Sequence, residues 1–203
     1  MAINFVVQAS VVDIFYDKPK SYDNFLVDTN VWFWYAYTQA TLSSQPYQLD
    51  NYPDYIDEAV TKKAMLYWCG LSLSELAHLI ENTEFNVFNR QNNVKPKEYR
   101  HNYKSERLKV INEIQSAWTQ VKSVANPLDI LVNGTTTDLI LAKITSQPLD
   151  VYDLFLLEAA NKFGISQILT DDSDFAFVPG IQVFTANRSV IEAARRQGKL
   201  TRR

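Results

Sequence analysis

The apolar residues of this chain come in runs too short for anything but buried strands. Phe25-Leu26-Val27 ends in Asp28-Thr29-Asn30, residues 165–169 end in Thr170-Asp171-Asp172, and residues 181–184 form a last run. Residues 128–132 form another, stopped by Asn133-Gly134. Short apolar runs bounded by turn formers read as strands covered on both faces. Residues 3–16 are apolar and β-branched and read as one or two more. Segments of helical character lie between. Residues 53–68 begin with Pro53, carry acids early and stop before Gly70, which predicts one helix. Residues 72–85 place apolar side chains at 73, 76, 79 and 80, a helical period. Ile111, Ile114, Trp118 and Val121 stripe a longer helix that Asn126-Pro127 breaks. Helices over 137–144 and 151–163 follow, the second stopped by Gly164, and Asn187 caps a last one. Strands alternating with helices predict an α/β fold around a parallel sheet.

Composition narrows the classes. With 203 residues, 46% hydrophobic and 21% charged, the chain suits one globular domain over 1–203. A single cysteine, Cys69, forbids an intramolecular disulfide and fits a reducing, cytoplasmic setting. One Cys and two His argue against a Cys/His zinc site. Residues 1–10 do not read as a signal peptide, and no apolar run is long enough for a membrane span. Net charge is −3, but residues 90–109 and 188–203 each carry a local +5.

Chemistry concentrates where strands end. Parallel sheets bind ligands at the carboxyl ends of their strands. Asp28 and the group Asp171, Asp172 and Asp174 would sit at two such ends. Glu75 and Asp153, early in helices, could face the same edge. Gathered carboxylates repel one another unless a hard cation such as Mg²⁺ or Mn²⁺ joins them. Such a cation can activate water and stabilise a leaving oxygen. Each acid also has a purely structural reading. Asp28 could end a strand. Glu75 completes a Ser72-x-x-Glu75 capping box, and Asp153 complements a helix dipole.

Four motifs in order carry a resemblance. Phe25-Leu26-Val27-Asp28-Thr29-Asn30-Val31, Leu73-Ser74-Glu75-Leu76, the stretch from Asp153 to Ala160, and Ile168-Leu169-Thr170-Asp171-Asp172-Ser173-Asp174-Phe175 resemble the successive motifs of PIN domains. The resemblance spans residues 25 to about 184. It implies a three-layer α/β/α sandwich with a central parallel sheet. It also implies a Mg²⁺- or Mn²⁺-dependent endoribonuclease, often the toxin of a toxin–antitoxin pair, with an antitoxin or homodimer partner. Asp28, Glu75, Asp153, Asp172 and Asp174 would then be metal-site acids, supported by Thr29, Asn30 and Thr170. An N-terminal extension over 1–24 and a helical insertion over about 86–125 depart from the compact toxins of that family.

Other features admit two readings. Arg90, Lys95, Lys97, Arg100, Lys104 and Arg107, with Tyr99, His101 and Tyr103 among them, could track an RNA backbone or form a solvated helix face. The basic C-terminal residues could bind RNA or fray. The aromatic run Trp32 to Tyr37 could fill the core or face a partner. Two rival functions stay open. One is a catalytically silent RNA- or protein-binding module. The other is a phosphohydrolase with Asp28 as nucleophile, against which Asn30 stands where a second Asp is usual.

Overall fold

A computed structural model describes residues 6–203. It holds six parallel strands in one sheet, in the order β1 (Ser10–Asp13), β6 (Gln182–Thr185), β5 (Gln167–Leu169), β2 (Asn24–Val27), β3 (Met65–Cys69), β4 (Asn126–Leu128). Eight α-helices among the described residues cover both faces. The fold is therefore a three-layer α/β/α sandwich, as the sequence predicts. Residues 3–5 of the first predicted strand lie outside the described residues.

Alternation along each short strand builds the two hydrophobic layers. Phe25, Val27, Leu66, Leu169 and Phe184 point to one face. There they meet side chains of α1 (Thr29–Ala36), α2 (Pro46–Thr61), α3 (Ser72–Asn92) and α5 (Lys104–Val124). Leu26, Cys69, Leu128, Ile168 and Val183 point to the other, against α6 (Gly134–Ile144) and α7 (Val151–Lys162). Val11 shares that second face, since it pairs with Val183, and α8 (Arg188–Arg196) covers it through Val190, Ala193 and Ala194. The aromatic run belongs largely to the core, with Trp32, Phe33 and Tyr37 buried.

The structure corrects three readings. Residues 53–68 are not one helix: α2 starts at Pro46, contains Pro53 and ends before Lys62, and Lys63 turns the chain with φ 61° into β3. Met-Leu-Tyr-Trp-Cys lies between β2 and β4, where both ladders satisfy its backbone. Five apolar residues cannot declare a period that separates strand from helix. The strand expected over 128–132 is instead Asn126–Leu128, and Pro127, read as a break, sits within it. An edge strand tolerates proline because one side needs no donor. Third, residues 199–201 do not fray. Thr201 N–H donates to Val11 O, Val11 N–H donates to Lys199 O, and Arg203 is half-buried between Asp17 and Asp23.

The two expected elaborations are built into the core. Residues 10–13 supply an edge strand, and within 86–125 lie the far half of α3, α4 (Pro96–Asn102) and α5. Ala117 and Val121 of α5 enter the core, and Trp118 meets Trp68 edge to face at 4.8 Å. Among the described residues no helix is long and apolar enough to cross a membrane.

Candidate metal centre

Strand order sets the location of the site. From β2 the chain steps outward to β3 and β4, then crosses back to place β5 on the other side of β2. Between β2 and β5 the sequence of strands reverses direction, which opens a crevice at their carboxyl ends. Asp28 leaves β2 there and Thr170 leaves β5 there, each one residue past its strand.

Asp28 is fixed from three sides. Its N–H donates to Leu169 O at 3.0 Å, its own carbonyl accepts from Val31 and Trp32 as α1 begins, and its Oδ2 accepts the Thr170 hydroxyl at 2.7 Å. Only 2% of the residue is exposed. Burial, then the charge of Glu75, raises its carboxyl to about 7 even though Thr170 favours the ionised form.

Asp153 stands in the first turn of α7, also buried. The cap of that helix is Asp150, whose carboxylate accepts Asp153 N–H at 2.9 Å. Asp153 is thus spared the capping duty. Burial, then the charges of Asp28 and Asp150, pushes it up to about 9. Glu75 lies in the first turn of α3. The capping box read from Ser72 and Glu75 does not form: Leu71 occupies the cap position, and Ser72 Oγ is buried without a partner. Burial, followed by Asp150 and Asp172, raises Glu75 as well. Thr29 Oγ1 is buried near enough to Glu75 to favour its charge, yet forms no hydrogen bond of good geometry.

The loop after β5 assigns separate work to its three acids. Asp172 N–H donates to Thr170 Oγ1 at 2.9 Å, and Asp172 Oδ1 accepts Asp174 N–H at 2.8 Å. Burial raises Asp172, and Asp174, Asp150 and Asp171 add to this. Asp174 sits half-exposed at the margin, opening a short 3₁₀ turn. Asp171 is turned away and clamped: Tyr52 donates to its Oδ1 at 2.6 Å, and Tyr47 and Gln48 donate to its Oδ2 at 2.7 and 2.8 Å. It ties α2 to the sheet. Asn30 is half-buried and makes no side-chain hydrogen bond among the described residues.

Four acids thus influence one another at one crevice, and among the described residues no Lys or Arg forms an ion pair with any of them. A groove of about 480 Å³ runs along α3 beside Glu75, with His78, Glu81 and Tyr152 in its wall. The donors, all carboxylate oxygens, suit a hard cation. Among the described residues, no three His, Cys, Asp or Glu side chains are grouped so as to hold a metal ion between them. Mg²⁺ needs no such group, because it takes one or two carboxylates and keeps its waters.

No protein-family model matches the chain, and no curated protein matches it.

Part of the basic segment lies away from Glu75, while Arg100 and Arg107 meet the same groove through Glu81. Arg90 is on α3 about 22 Å from Glu75 along the axis, at roughly 1.5 Å per residue. Glu81 binds both Arg100 and Arg107, the latter at 2.9 Å. Arg90, Lys95, Lys97 and Lys104 are exposed and form no ion pair among the described residues. Asp150 and Asp171 are the residues whose parts the sequence did not reveal. An Asp three places before another at a helix start signals a cap, which the sequence offers at Asp150.

Proposed function

We propose that the chain is a divalent-metal-dependent endoribonuclease of the PIN type. One observation carries the reading: Asp28, Glu75, Asp153 and Asp172 gather, largely desolvated and without a basic partner, at the carboxyl ends of β2 and β5 where strand order reverses. Buried like charges are costly, and a fold keeps them where a cation or a reaction uses them. Asp28 and Asp172 are the residues best placed to hold Mg²⁺ or Mn²⁺, both oriented by Thr170. Glu75 and Asp153 border the same space and would orient water or accept a proton. The chemistry that a bound cation supplies is charge neutralisation at the scissile phosphate and activation of water. An Asp28 nucleophile is less well supported, because its Oδ2 is engaged by Thr170 and the next acid position is Asn30.

The test is cleavage of a labelled single-stranded RNA by purified protein with Mn²⁺ or Mg²⁺. Activity should vanish with EDTA and in Asp28→Asn, whose circular dichroism should match the parent. Cleavage that survives chelation, or full activity in Asp28→Asn, would overturn the proposal.

A further inference from the structure

A second pocket, of about 460 Å³, lies at the carboxyl ends of β1 and β6, the two strands beyond β5 in the sheet. It is walled by the segment after β1, by the start of α2 and by one side of α8. Phe15 and Tyr16 stand at its mouth, 68% and 80% exposed, edge to face with centroids 4.9 Å apart. Arg188, Glu192 and Arg195 recur at i, i+4 and i+7 on α8, and Asp13 faces them from β1. None of these four charged side chains forms an ion pair among the described residues. Tyr47 lines the wall and donates to Asp171, which precedes Asp172 in the loop after β5.

We infer that this pocket binds a nucleobase of the single-stranded RNA whose phosphate is held at the carboxylates. The inference rests on the ribonuclease reading for its substrate. A surface that only tracks a backbone is uniformly basic. This one is balanced, two arginines against two carboxylates, with open ring faces beside them. Ring faces stack any base. Carboxylates without an ion-pair partner accept from base N–H groups, Asp13 through the oxygen that Phe15 N–H leaves free, and arginines serve base carbonyls or a flanking phosphate. Phe15 and Tyr16 sit in the segment before β2, so this chain builds the subsite from its own N-terminal elaboration.

The test measures binding without cleavage. Fluorescein-labelled homopolymeric RNAs of about twelve nucleotides are titrated by anisotropy in EDTA, and the same RNAs are photo-crosslinked and the adducts mapped by mass spectrometry. Phe15→Ala/Tyr16→Ala should weaken binding about tenfold or more, from the loss of stacking. Tyr16→Phe, which keeps the ring, should bind as the parent does. Adducts should fall on Phe15 or Tyr16, and Asp13→Asn/Glu192→Gln should even out affinities among the homopolymers. Undiminished affinity in the folded double alanine variant, or adducts confined to other surfaces, would overturn the inference. RNA held by the pocket but never cut with Mn²⁺ would sink the nuclease and leave the subsite. Cutting with unchanged affinity in the double alanine variant would do the reverse.

Discussion

Thr170 and Asp28 are joined across the sheet by a hydrogen bond of 2.7 Å, from the Thr170 hydroxyl to Asp28 Oδ2. The same hydroxyl accepts the N–H of Asp172. One fully buried side chain thus fixes two of the four acids to each other and to the ends of β2 and β5.

Thr170→Val keeps the volume and deletes that link. Asp28 loses the only side-chain donor among the described residues that favours its charge, and Asp172 N–H loses its acceptor. A loss of about 1–3 kcal/mol is expected in urea unfolding of metal-free protein. Mn²⁺ affinity, read by calorimetry, should fall about 10–100-fold, as for other residues that orient ligands from behind. Unchanged affinity would mean that the hydroxyl serves the fold alone.

The raised carboxyls make a pH prediction. For Asp28 and Asp153 the folded values, about 7 and about 9, exceed the unfolded value of 3.8. Below pH ~4 both states are protonated and neither acid matters. As pH rises past ~4 the unfolded chain ionises first, so the folded state loses stability until each folded value is passed. Metal-free protein should therefore melt lower at pH 8 than at pH 5. Mg²⁺ should raise the melting temperature far more at pH 8 than at pH 5, and Asp28→Asn should flatten the decline. A melting temperature indifferent to pH across this window would mean that the crevice holds no strained acids.

Asp171 and Asp172 are adjacent and should behave as opposites. Asp171→Asn weakens a clamp fed by three side chains of α2, so it should cost about 1–3 kcal/mol in stability while Mn²⁺ still binds. Asp172→Asn should unfold at the parent's urea concentration or higher, yet bind Mn²⁺ poorly. Calorimetry beside urea titration distinguishes them, and matching profiles for both variants would contradict the assignment.

The sequence disclosed what local chemistry encodes. The Asp28 strand end, the Gly164 turn at φ 69° and the Asn187 cap each depend on neighbours within a few residues, and all are found. β3 was hidden because Lys63, not glycine, makes the preceding left-handed turn, and its five apolar residues continue a helical stripe. The acids could be proposed together but not sorted: Asp171 is separated from Asp172 by Tyr47, Gln48 and Tyr52, over a hundred residues away. Arg203 reads as a solvated tail, because its partners Asp17 and Asp23 lie at the other end of the chain.

That arginine supports a last prediction. Arg203 donates to Asp23 at 2.6 Å and to Asp17 at 2.7 Å, and its guanidinium stacks 4.5 Å above the Phe184 ring. Asp23 is fully buried and Asp17 nearly so. Burial alone would raise Asp23, but the bonds from Arg203, Gln167 and Lys20 N–H outweigh it and hold the carboxyl below the usual range. A depressed acid stabilises the fold above its unfolded pKa and loses that contribution as pH falls through the folded value. Arg203→Met strands two buried carboxylates and should cost about 3–5 kcal/mol at neutral pH. Without the arginine the bonds that most oppose burial are gone, so acid weakens the variant less than it weakens the parent. The gap between them in urea unfolding should therefore shrink below pH ~4, and adding Asp23→Asn to Arg203→Met should recover part of it at neutral pH. A gap equally wide at both pH values would assign Arg203's contribution to packing on Phe184 instead of charge.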